Sequence, residues 1–284
     1  MSGGGADSGG SSSGYPGWVG YIEFDDETGE AIAADYSGLE MPVTSKFKFN
    51  THYKFRGDWN SNIPTLIDGT SMFANCSNLT SFTGDLSALT TCNEMFSNCT
   101  SLTSFKGDLS SLTNGQSMFN GCSKLTTFTS DLSSLTNGYW MFYRCSNLTT
   151  FTSDLSSLTK GNCMFDDCSN LTTFTSDLSS LSLGYGMFNG CSKLTTFTSD
   201  LSSLTNGTNM FYNCKLDKES FIRIITCLKE RNTCTASASI NIGVDKQFKN
   251  DPELLEVLGL SAWASKVTLV GHGGGTWTIN LQAK

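Results

Sequence analysis

The chain has 284 residues, which is long enough to bury a sizeable core. Its formal net charge is −8, from 18 basic and 26 acidic residues, and this balance argues against nucleic-acid binding because such surfaces usually carry a basic stripe. The 28 glycines, set against 4 prolines, are typical of a turn-rich repeat protein rather than of a packed helical enzyme.

The N-terminal region divides into three predicted segments. Residues 1–14 have the Gly/Ser composition of a flexible arm. Residues 15–48 indicate short strands with turns, a small β element that we interpret as an attachment region. Residues 49–71 are a divergent coil, in which Ile63 and Leu66 keep the spacing of the later repeats. We expect this coil to be an N-terminal cap, with Phe55 and Trp59 as its lid.

The first residues also bear on location. They have neither the basic nor the apolar region of a signal peptide, and no stretch of the chain reaches the roughly 18 apolar residues of a membrane span. We therefore expect synthesis in a reducing cytoplasm and no membrane insertion.

A 23-residue unit dominates residues 72–214. The pair Met-Phe begins at residues 72, 95, 118, 141, 164, 187 and 210, and the unit from Met118 reads MFNGCSKLTTFTSDLSSLTNGYW. One such coil cannot bury its own apolar side chains, whereas stacked coils bury them against their copies above and below. The sequence therefore predicts a β-rich α+β solenoid of about seven to eight coils.

Each unit contains a predicted strand and a predicted turn. The segment Leu-Thr-Thr-Phe-Thr has the β-branched residues of a short strand. A recurring glycine predicts a turn with positive φ. It stands at Gly115, Gly138, Gly161, Gly184 and Gly207.

Residues 215–284 are predicted to form an α/β cap on the C-terminal end. The spacing of Phe221, Ile224, Ile225 and Leu228 is that of an amphipathic helix, with Asp217 placed to cap it. A strand in TASASINIG, a helix around residues 252–260 and a final strand in TWTINLQ complete the predicted cap.

The cysteines follow the repeat rather than a disulfide pattern. One cysteine of each unit forms a predicted ladder of buried thiols, made of Cys76, Cys99, Cys122, Cys145, Cys168, Cys191 and Cys214. Cys92 and Cys163 lie outside this ladder, and we expect them to be partly exposed. The chain contains no C-x-x-C pair, so zinc is not expected.

Catalytic and metal sites are not predicted. The 2 histidines, His52 and His272, lie far apart in the sequence, and no G-x-S-x-G, P-loop or H-E-x-x-H motif occurs. We therefore expect a protein that is not an enzyme and has no cofactor.

Two periodic polar patterns have alternative interpretations. A column of aspartates predicts either calcium between the coils or an Asx turn in each coil, and the turn is favoured because no Gly-Asp calcium repeat accompanies it. The column is Asp85, Asp108, Asp131, Asp154, Asp177 and Asp200. The outward threonines beside each strand phenylalanine, as in Thr127 and Thr129, could bind ice or a sugar lattice, but the ordinary solvated strand face is the favoured interpretation.

The copies differ mainly at the two positions before and the two after each Met-Phe pair. Tyr139, Trp140, Tyr143 and Arg144 occupy these positions in neighbouring coils and could stack on a sugar or on a partner side chain. The candidate binding surface is completed by Tyr185 and Tyr212. Neutral drift at exposed loop positions explains the variation equally well, so both interpretations stay open.

The unit MF-x-x-C-S-x-L-T-x-F closely resembles the BspA-like leucine-rich repeats, and this resemblance covers residues 72–214. It implies a right-handed leucine-rich-repeat-like stack in which the cysteine thiol faces backbone groups. The C-terminal LDKESFIRIITCLKE…INIG…TWTI is similar to the ending of such proteins in tailed phages of gut bacteria, although Gly275-Thr276 stands where the familiar ending has Lys-Gly.

The resemblance implies adhesion or structure. We expect a virion protein, such as a fibre, tail appendage or decoration protein, whose N-terminal region attaches to other virion proteins. Its repeat surface would bind a host surface glycan or protein. The alternative is a leucine-rich-repeat adhesin on a bacterial cell surface, which a signal peptide would favour; an enzyme with an accessory solenoid has no catalytic cluster in its favour.

Overall fold

The structure is a computed structural model that describes residues 22–24, 31–34, 56–60, 62–229, 238–244, 251–260, 264, 266–270 and 276–283. Near the N-terminus, strands β1 (Ile22–Phe24) and β2 (Ala31–Ala34) pair in antiparallel fashion, inside the segment predicted to hold short strands. The predicted arm 1–14, the remainder of 15–48, Phe55, His52 and His272 lie outside the described residues.

One side of the solenoid is a column of short parallel strands. Residues 23 apart face each other in neighbouring strands, as Thr127 faces Thr150 and Trp59 faces Phe82. This column confirms the predicted strand of the repeat. Its members are β3 (Arg56–Asn60), β4 (Asn78–Gly84), β5 (Ser104–Gly107), β6 (Thr127–Phe128), β7 (Thr150–Phe151), β8 (Thr173–Phe174) and β9 (Thr196–Phe197).

The other sides of each coil also bond to the next coil. Isolated parallel bridges join residues 23 apart, from Asp68 with Thr91 to Leu183 with Asn206. In the Met-Phe segments, the Phe142 amide donates to the Met164 carbonyl at 2.8 Å, and the other coils repeat this bond. The predicted stacking of consecutive units is therefore confirmed.

The core contains two columns of phenylalanine rings. Phe142 stacks on Phe165 with ring centroids 5.4 Å apart, and Phe151 of the strand column meets Phe165 edge-on at 4.8 Å. Trp59 heads the strand column, with its ring 6.1 Å from Phe82, and is only 4% exposed. The role of Trp59 as a lid stays a prediction. Each buried ring removes a large apolar area from water and contributes about 2–3 kcal/mol.

The recurring glycines do not have positive φ, so that prediction is wrong. They are needed because a methionine of the next coil approaches them. A Cβ atom on Gly138 would lie 2.8 Å from Met164 Sδ and 3.2 Å from Leu158 Cδ1. A side chain at this position would therefore clash with the core.

The left-handed backbone conformation occurs instead at two positions around each Met-Phe pair. The first column directly precedes methionine and consists of Ser71, Glu94, Ser117, Trp140, Cys163, Gly186 and Asn209. The second directly precedes the ladder cysteine and consists of Asn75, Asn98, Gly121, Arg144, Asp167, Gly190 and Asn213. Both columns fall among the positions that vary between copies.

The C-terminal region contains a mixed sheet and two helices. The elements are β10 (Gly207–Leu216), α1 (Lys218–Lys229), β11 (Ala238–Val244), α2 (Pro252–Leu258), β12 (Lys266–Val270) and β13 (Thr276–Ala283). The last Met-Phe pair lies in β10, which opens a sheet of strand order β10-β11-β13-β12, with β12 antiparallel to β13. The final strand and the strand in ASINIGV confirm the prediction, whereas β12 was not predicted.

Both predicted helices of the cap are present. The four apolar residues predicted for one face of α1 are all buried. The Ser220 amide donates to Asp217 Oδ1 at 2.8 Å, which confirms Asp217 as the helix cap. Helix α2 is capped by Asp251 and ends at Gly259, which has the left-handed conformation.

Candidate binding surface

The variable side chains lie along one border of the solenoid, which we call the Met-Phe edge: the two positions before and the two after each Met-Phe pair. Backbone bonds set these positions in register, since the Trp140 amide donates to the Asn162 carbonyl and the Cys163 amide donates to the Tyr185 carbonyl. The predicted residues Tyr139, Trp140, Tyr143 and Arg144 lie on either side of one Met-Phe pair, Met141-Phe142. Tyr185 lies two coils further along, and Tyr212 lies three coils further along.

This edge carries exposed aromatic rings. Trp140 is 37% exposed and Tyr185 is 42% exposed, and they are the large apolar side chains most open to solvent in the described part of the chain. The Tyr139 ring meets the Trp140 ring edge-on, with centroids 4.1 Å apart. The Arg144 guanidinium lies 4.9 Å from the Tyr143 ring centroid. Aromatic rings of this kind are common at binding surfaces.

A partly buried carboxylate lies beside these rings. Asp166 Oδ1 accepts a hydrogen bond from Asn189 Nδ2 at 2.9 Å. Burial raises the pKa of Asp166 to about 6, and the charge of Asp167 adds to this effect. Hydrogen bonds from Asn189 and Cys163 and the charge of Arg144 oppose the shift. Arg144 Nε lies 3.8 Å from Asp167 Oδ2, and both side chains are largely exposed.

Gly186 lies in the coil after Asp166 and has a left-handed φ of 59°. A Cβ atom on Gly186 would be 3.1 Å from Cys163 Sγ and 4.0 Å from Asp166 Oδ2. The contact with Cys163 Sγ is tighter than an ordinary side-chain contact, so a larger residue at this position would displace the thiol.

The cysteine ladder is structural. Six of its thiols donate to a phenylalanine carbonyl one coil earlier, as Cys145 Sγ does to Phe119 O at 3.2 Å. They belong to Cys99, Cys122, Cys145, Cys168, Cys191 and Cys214. This contact confirms that the thiols face backbone groups. Burial raises the pKa of Cys122, Cys145 and Cys191 well above the usual value. Such thiols are poor nucleophiles because the thiolate is the reactive form.

The prediction that Cys92 and Cys163 are partly exposed is wrong, because both are buried. Cys92 stands 23 residues from Gly69 and Gly115, at the glycine position that faces the core. Cys163 forms a hydrogen bond with the indole of Trp140. Burial raises the pKa of the Cys163 thiol to about 11.

The aspartate column forms Asx turns, as the favoured interpretation predicts. Each Oδ1 atom accepts a hydrogen bond from the backbone amide two residues later, as Asp108 does from Ser110 at 2.9 Å and Asp177 does from Ser179 at 2.7 Å.

Threonine hydroxyls also join neighbouring coils, since Thr149 Oγ1 donates to the Thr126 carbonyl of the preceding coil at 3.1 Å. The threonines on either side of Phe128 are exposed.

Within the described ranges, no group of three or more His, Cys, Asp or Glu side chains is arranged to hold a metal ion. The described helices also include none that is long and apolar enough to cross a membrane.

The chain was compared with known families and structures. The model of the BspA type leucine rich repeat region matches residues 62–172 and 136–233, in 6 copies. No curated protein matches the chain significantly. Among solved structures, a leucine-rich repeat protein of T. pallidum is 17% identical over 73% of this chain and 92% of that chain, with a TM-score of 0.44. A leucine-rich repeat protein from Bacteroides ovatus ATCC 8483 is 18% identical over 72% of this chain and 67% of that chain, with a TM-score of 0.34. The family match spans more than half of the sequence, and the chain therefore belongs to the BspA-type leucine-rich repeat family.

Proposed function

We propose that this chain is a non-enzymatic interaction protein that binds a protein or a glycan through the Met-Phe edge. One observation carries the proposal: coils that are nearly identical in their cores differ along this edge, and there they expose Trp140 and Tyr185. Exposed aromatic side chains at the centre of a surface are typical of binding sites.

Backbone conformation supports function over neutral drift at this edge. Trp140 and Arg144 have φ values of 55° and 60°, in the left-handed region that favours glycine or asparagine. A bulky residue in this conformation costs about 1–2 kcal/mol. The equivalent positions two coils later hold Gly186 and Gly190. Trp140 and Arg144 are the largest side chains in these two columns, and keeping them at strained positions is consistent with selection for a binding role.

The location of this interaction protein is a separate part of the proposal. We infer a virion component, such as a fibre, tail appendage or decoration protein, attached to other virion proteins by its N-terminal region. The similarity of the C-terminal segment to phage repeat proteins supports this location. The stack would be right-handed, with about seven to eight coils. A cell-surface adhesin is the alternative, and mass spectrometry of purified virions distinguishes the two, because an adhesin would be absent from the particles.

The binding role can be tested by exchanging residues between coils. The edge variant carries the residues of the preceding coil at four positions: Tyr139→Gln, Trp140→Ser, Tyr143→Asn and Arg144→Gly. The control variant carries the same residues in another coil: Asn93→Gln, Glu94→Ser, Ser97→Asn and Asn98→Gly. Each labelled chain is applied to an array of bacterial surface glycans and proteins.

We expect the native chain and the control variant to bind the same array members, and we expect the edge variant to lose them. Both variants should fold, because every introduced residue already occupies the equivalent position in the coil that contains Met118. Equal binding by the edge variant would exclude this surface as the binding site.

A further inference from the structure

We propose that the Met-Phe edge binds an uncharged linear glycan that runs along the stack of coils, with sugar rings on Tyr139 and Tyr185 and a hydroxyl group bonded to the Asn162 amide between them. This inference rests on the proposed binding role of the Met-Phe edge and names the class of ligand. Three observations carry it: the composition of one column of residues, the spacing of its aromatic rings and the hydrogen-bond donor between them.

One column of the edge contains only uncharged polar residues and tyrosine. It consists of the residue two positions before each methionine, and we call it the Tyr185 column. Its members are Thr70, Asn93, Gln116, Tyr139, Asn162, Tyr185 and Thr208, and none of them is buried. Aromatic rings pack on the apolar faces of sugar rings, while amide and hydroxyl groups form hydrogen bonds with sugar hydroxyls. Methionine and arginine, which are enriched in the centres of protein interfaces, do not occur in this column.

The two tyrosines of the column lie two coils apart. Backbone bridges from Asn137 to Lys160 and from Lys160 to Leu183 hold the column in register, two residues before each of its members. With a spacing of about 4.8 Å per coil, Tyr139 and Tyr185 leave the backbone about 10 Å apart. An extended β-1,4-linked glycan advances by close to one coil spacing for each sugar, so alternate sugars would meet the two rings. Side chains on one face of an extended peptide recur about every 7 Å and would not keep this interval.

The rings of the column are open to solvent and held in place. Tyr185 is exposed, and Tyr139 is partly exposed and meets the exposed ring of Trp140 edge-on. Trp140 therefore enlarges the apolar surface at Tyr139 on which a sugar ring can lie. The Tyr185 backbone amide donates to Asn162 Oδ1 at 3.0 Å, and the Tyr139 amide donates to Asn137 Oδ1 at 3.2 Å. These bonds fix the backbone at each ring and reduce the ordering that binding would require.

Asn162 supplies a hydrogen-bond donor in the coil between the two rings. Its Oδ1 atom is occupied by the Tyr185 amide, which orients the side chain. Among the residues that the structure describes, none forms a hydrogen bond with Asn162 Nδ2. The side chain is only partly buried. This amide group can therefore donate to a hydroxyl group of the sugar that lies between two stacked ones.

The charges beside the column disfavour an anionic glycan. Asp166 and Asp167 lie on the other side of the Met-Phe pair that follows Asn162, and Glu94 adjoins Asn93. The column itself has no cation with which a carboxylate or sulfate group could pair, and the chain carries a net charge of −8. A polyanion would be repelled, whereas an uncharged glycan would not.

The probes are three straight, uncharged β-1,4-linked hexasaccharides: cellohexaose, mannohexaose and N-acetylchitohexaose. The control ligand is maltohexaose, an α-1,4-linked glucose chain that coils rather than extends. Binding to the full chain is followed by the NMR signal of the Trp140 indole N–H, which a Trp140→Phe variant identifies. We expect saturable shifts with at least one straight hexasaccharide. Maltohexaose and the disaccharide of the same sugar should bind about tenfold more weakly or less, because neither can reach both rings.

Two variants remove one ring each. Tyr139→Gln and Tyr185→Thr introduce the residues that the same column carries at Gln116 and Thr208, so both variants should fold. Each should weaken the binding of the straight hexasaccharide about tenfold or more, because it removes one stacking contact.

The control variant is Tyr143→Asn. It removes a tyrosine from the same edge but outside the column, and the equivalent positions hold Asn120 and Asn189. We expect it to change the affinity less than about twofold.

The outcomes separate this inference from the proposed function. If the native chain binds array proteins through the edge and ignores all the straight hexasaccharides, the inference is wrong while the binding role of the edge stands. If maltohexaose binds as tightly as the best straight hexasaccharide, or Tyr143→Asn weakens binding as much as Tyr185→Thr, the glycan does not follow the column, which also overturns the inference. Failure of the binding role itself would appear as equal array binding by the edge variant.

Discussion

The thiol of Cys145 and the carbonyl of Phe119 are 26 positions apart in sequence but form a hydrogen bond of 3.2 Å between neighbouring coils. The same carbonyl accepts the Cys122 amide at 3.0 Å, which closes a tight turn within its own coil. The ladder thiol therefore fastens the turn of one coil to the next.

We predict that Cys145→Ala lowers the free energy of unfolding by about 1–2 kcal/mol, since it removes this bond and leaves a small cavity. Urea denaturation of the full chain measures the change. Cys145→Ser keeps a donor of similar size, so its loss should be smaller than that of the alanine variant. An alanine variant as stable as the native chain would show that the ladder bond contributes nothing.

The ladder thiols should resist alkylation in the folded chain. Burial raises the pKa of Cys122, Cys145 and Cys191, so almost no thiolate is present near pH 8. Cys227 is only half-buried and should react first among the described cysteines. Peptide mass spectrometry after iodoacetamide treatment, with and without urea, measures each rate. Equal labelling of Cys145 and Cys227 without urea would contradict the buried ladder.

The glycine column makes a steric prediction. Gly138→Ala should lower the free energy of unfolding by about 1–3 kcal/mol, because the new Cβ atom would lie 2.8 Å from Met164 Sδ in the core. Gly121→Asn is the control: its Cβ atom would lie 2.6 Å from Asn98 Oδ1, but that atom ends an exposed side chain that can turn away, whereas Met164 is fully buried. The same position also holds Asn98 and Asn213 in other coils with left-handed φ. We expect the control to lose less than about 1 kcal/mol. The reverse order of stability, measured by urea denaturation, would refute the packing argument.

The repeat made the core predictable, but not the roles of its small residues. Each Met-Phe pair recurs every 23 residues, so the stack and its buried columns follow from the need to cover apolar side chains. In the sequence, a glycine that is required because a neighbouring side chain lies close to it, such as Gly138, looks the same as a glycine that is required for positive φ. The two can be told apart only when Met164 of the next coil is in place.

The candidate site was only partly predictable for a related reason. The aromatic residues Tyr139 and Trp140 are conspicuous where copies differ, and the sequence identified them. The hydrogen bond from Asn189 to the half-buried Asp166 joins two adjacent coils. Such a contact is formed by register between coils, and register is a property of the backbone stack.

Asp166 makes the final prediction, which concerns pH. Burial raises its folded-state pKa from 3.8 to about 6, so the folded chain binds more protons at this site than the unfolded chain between these values. The stability that Asp166 contributes is therefore fully present near pH 4 and is lost as the pH rises through 6. Asp166→Asn replaces the carboxylate with a neutral amide of nearly the same shape. We expect the variant to match the native chain near pH 4 and to exceed its stability by up to about 1 kcal/mol at pH 7.5, a value reduced for solvent screening of the partly exposed site.

The measurement is the free energy of unfolding in urea at several pH values for the native chain, Asp166→Asn and Asp177→Asn. The last variant removes the same charge at a site away from Asp166, so any effect of net charge alone appears in both variants. The difference between the two variants should grow as the pH rises from about 5 to 7. A difference that is constant with pH would mean that Asp166 is as well solvated in the folded chain as in the unfolded one.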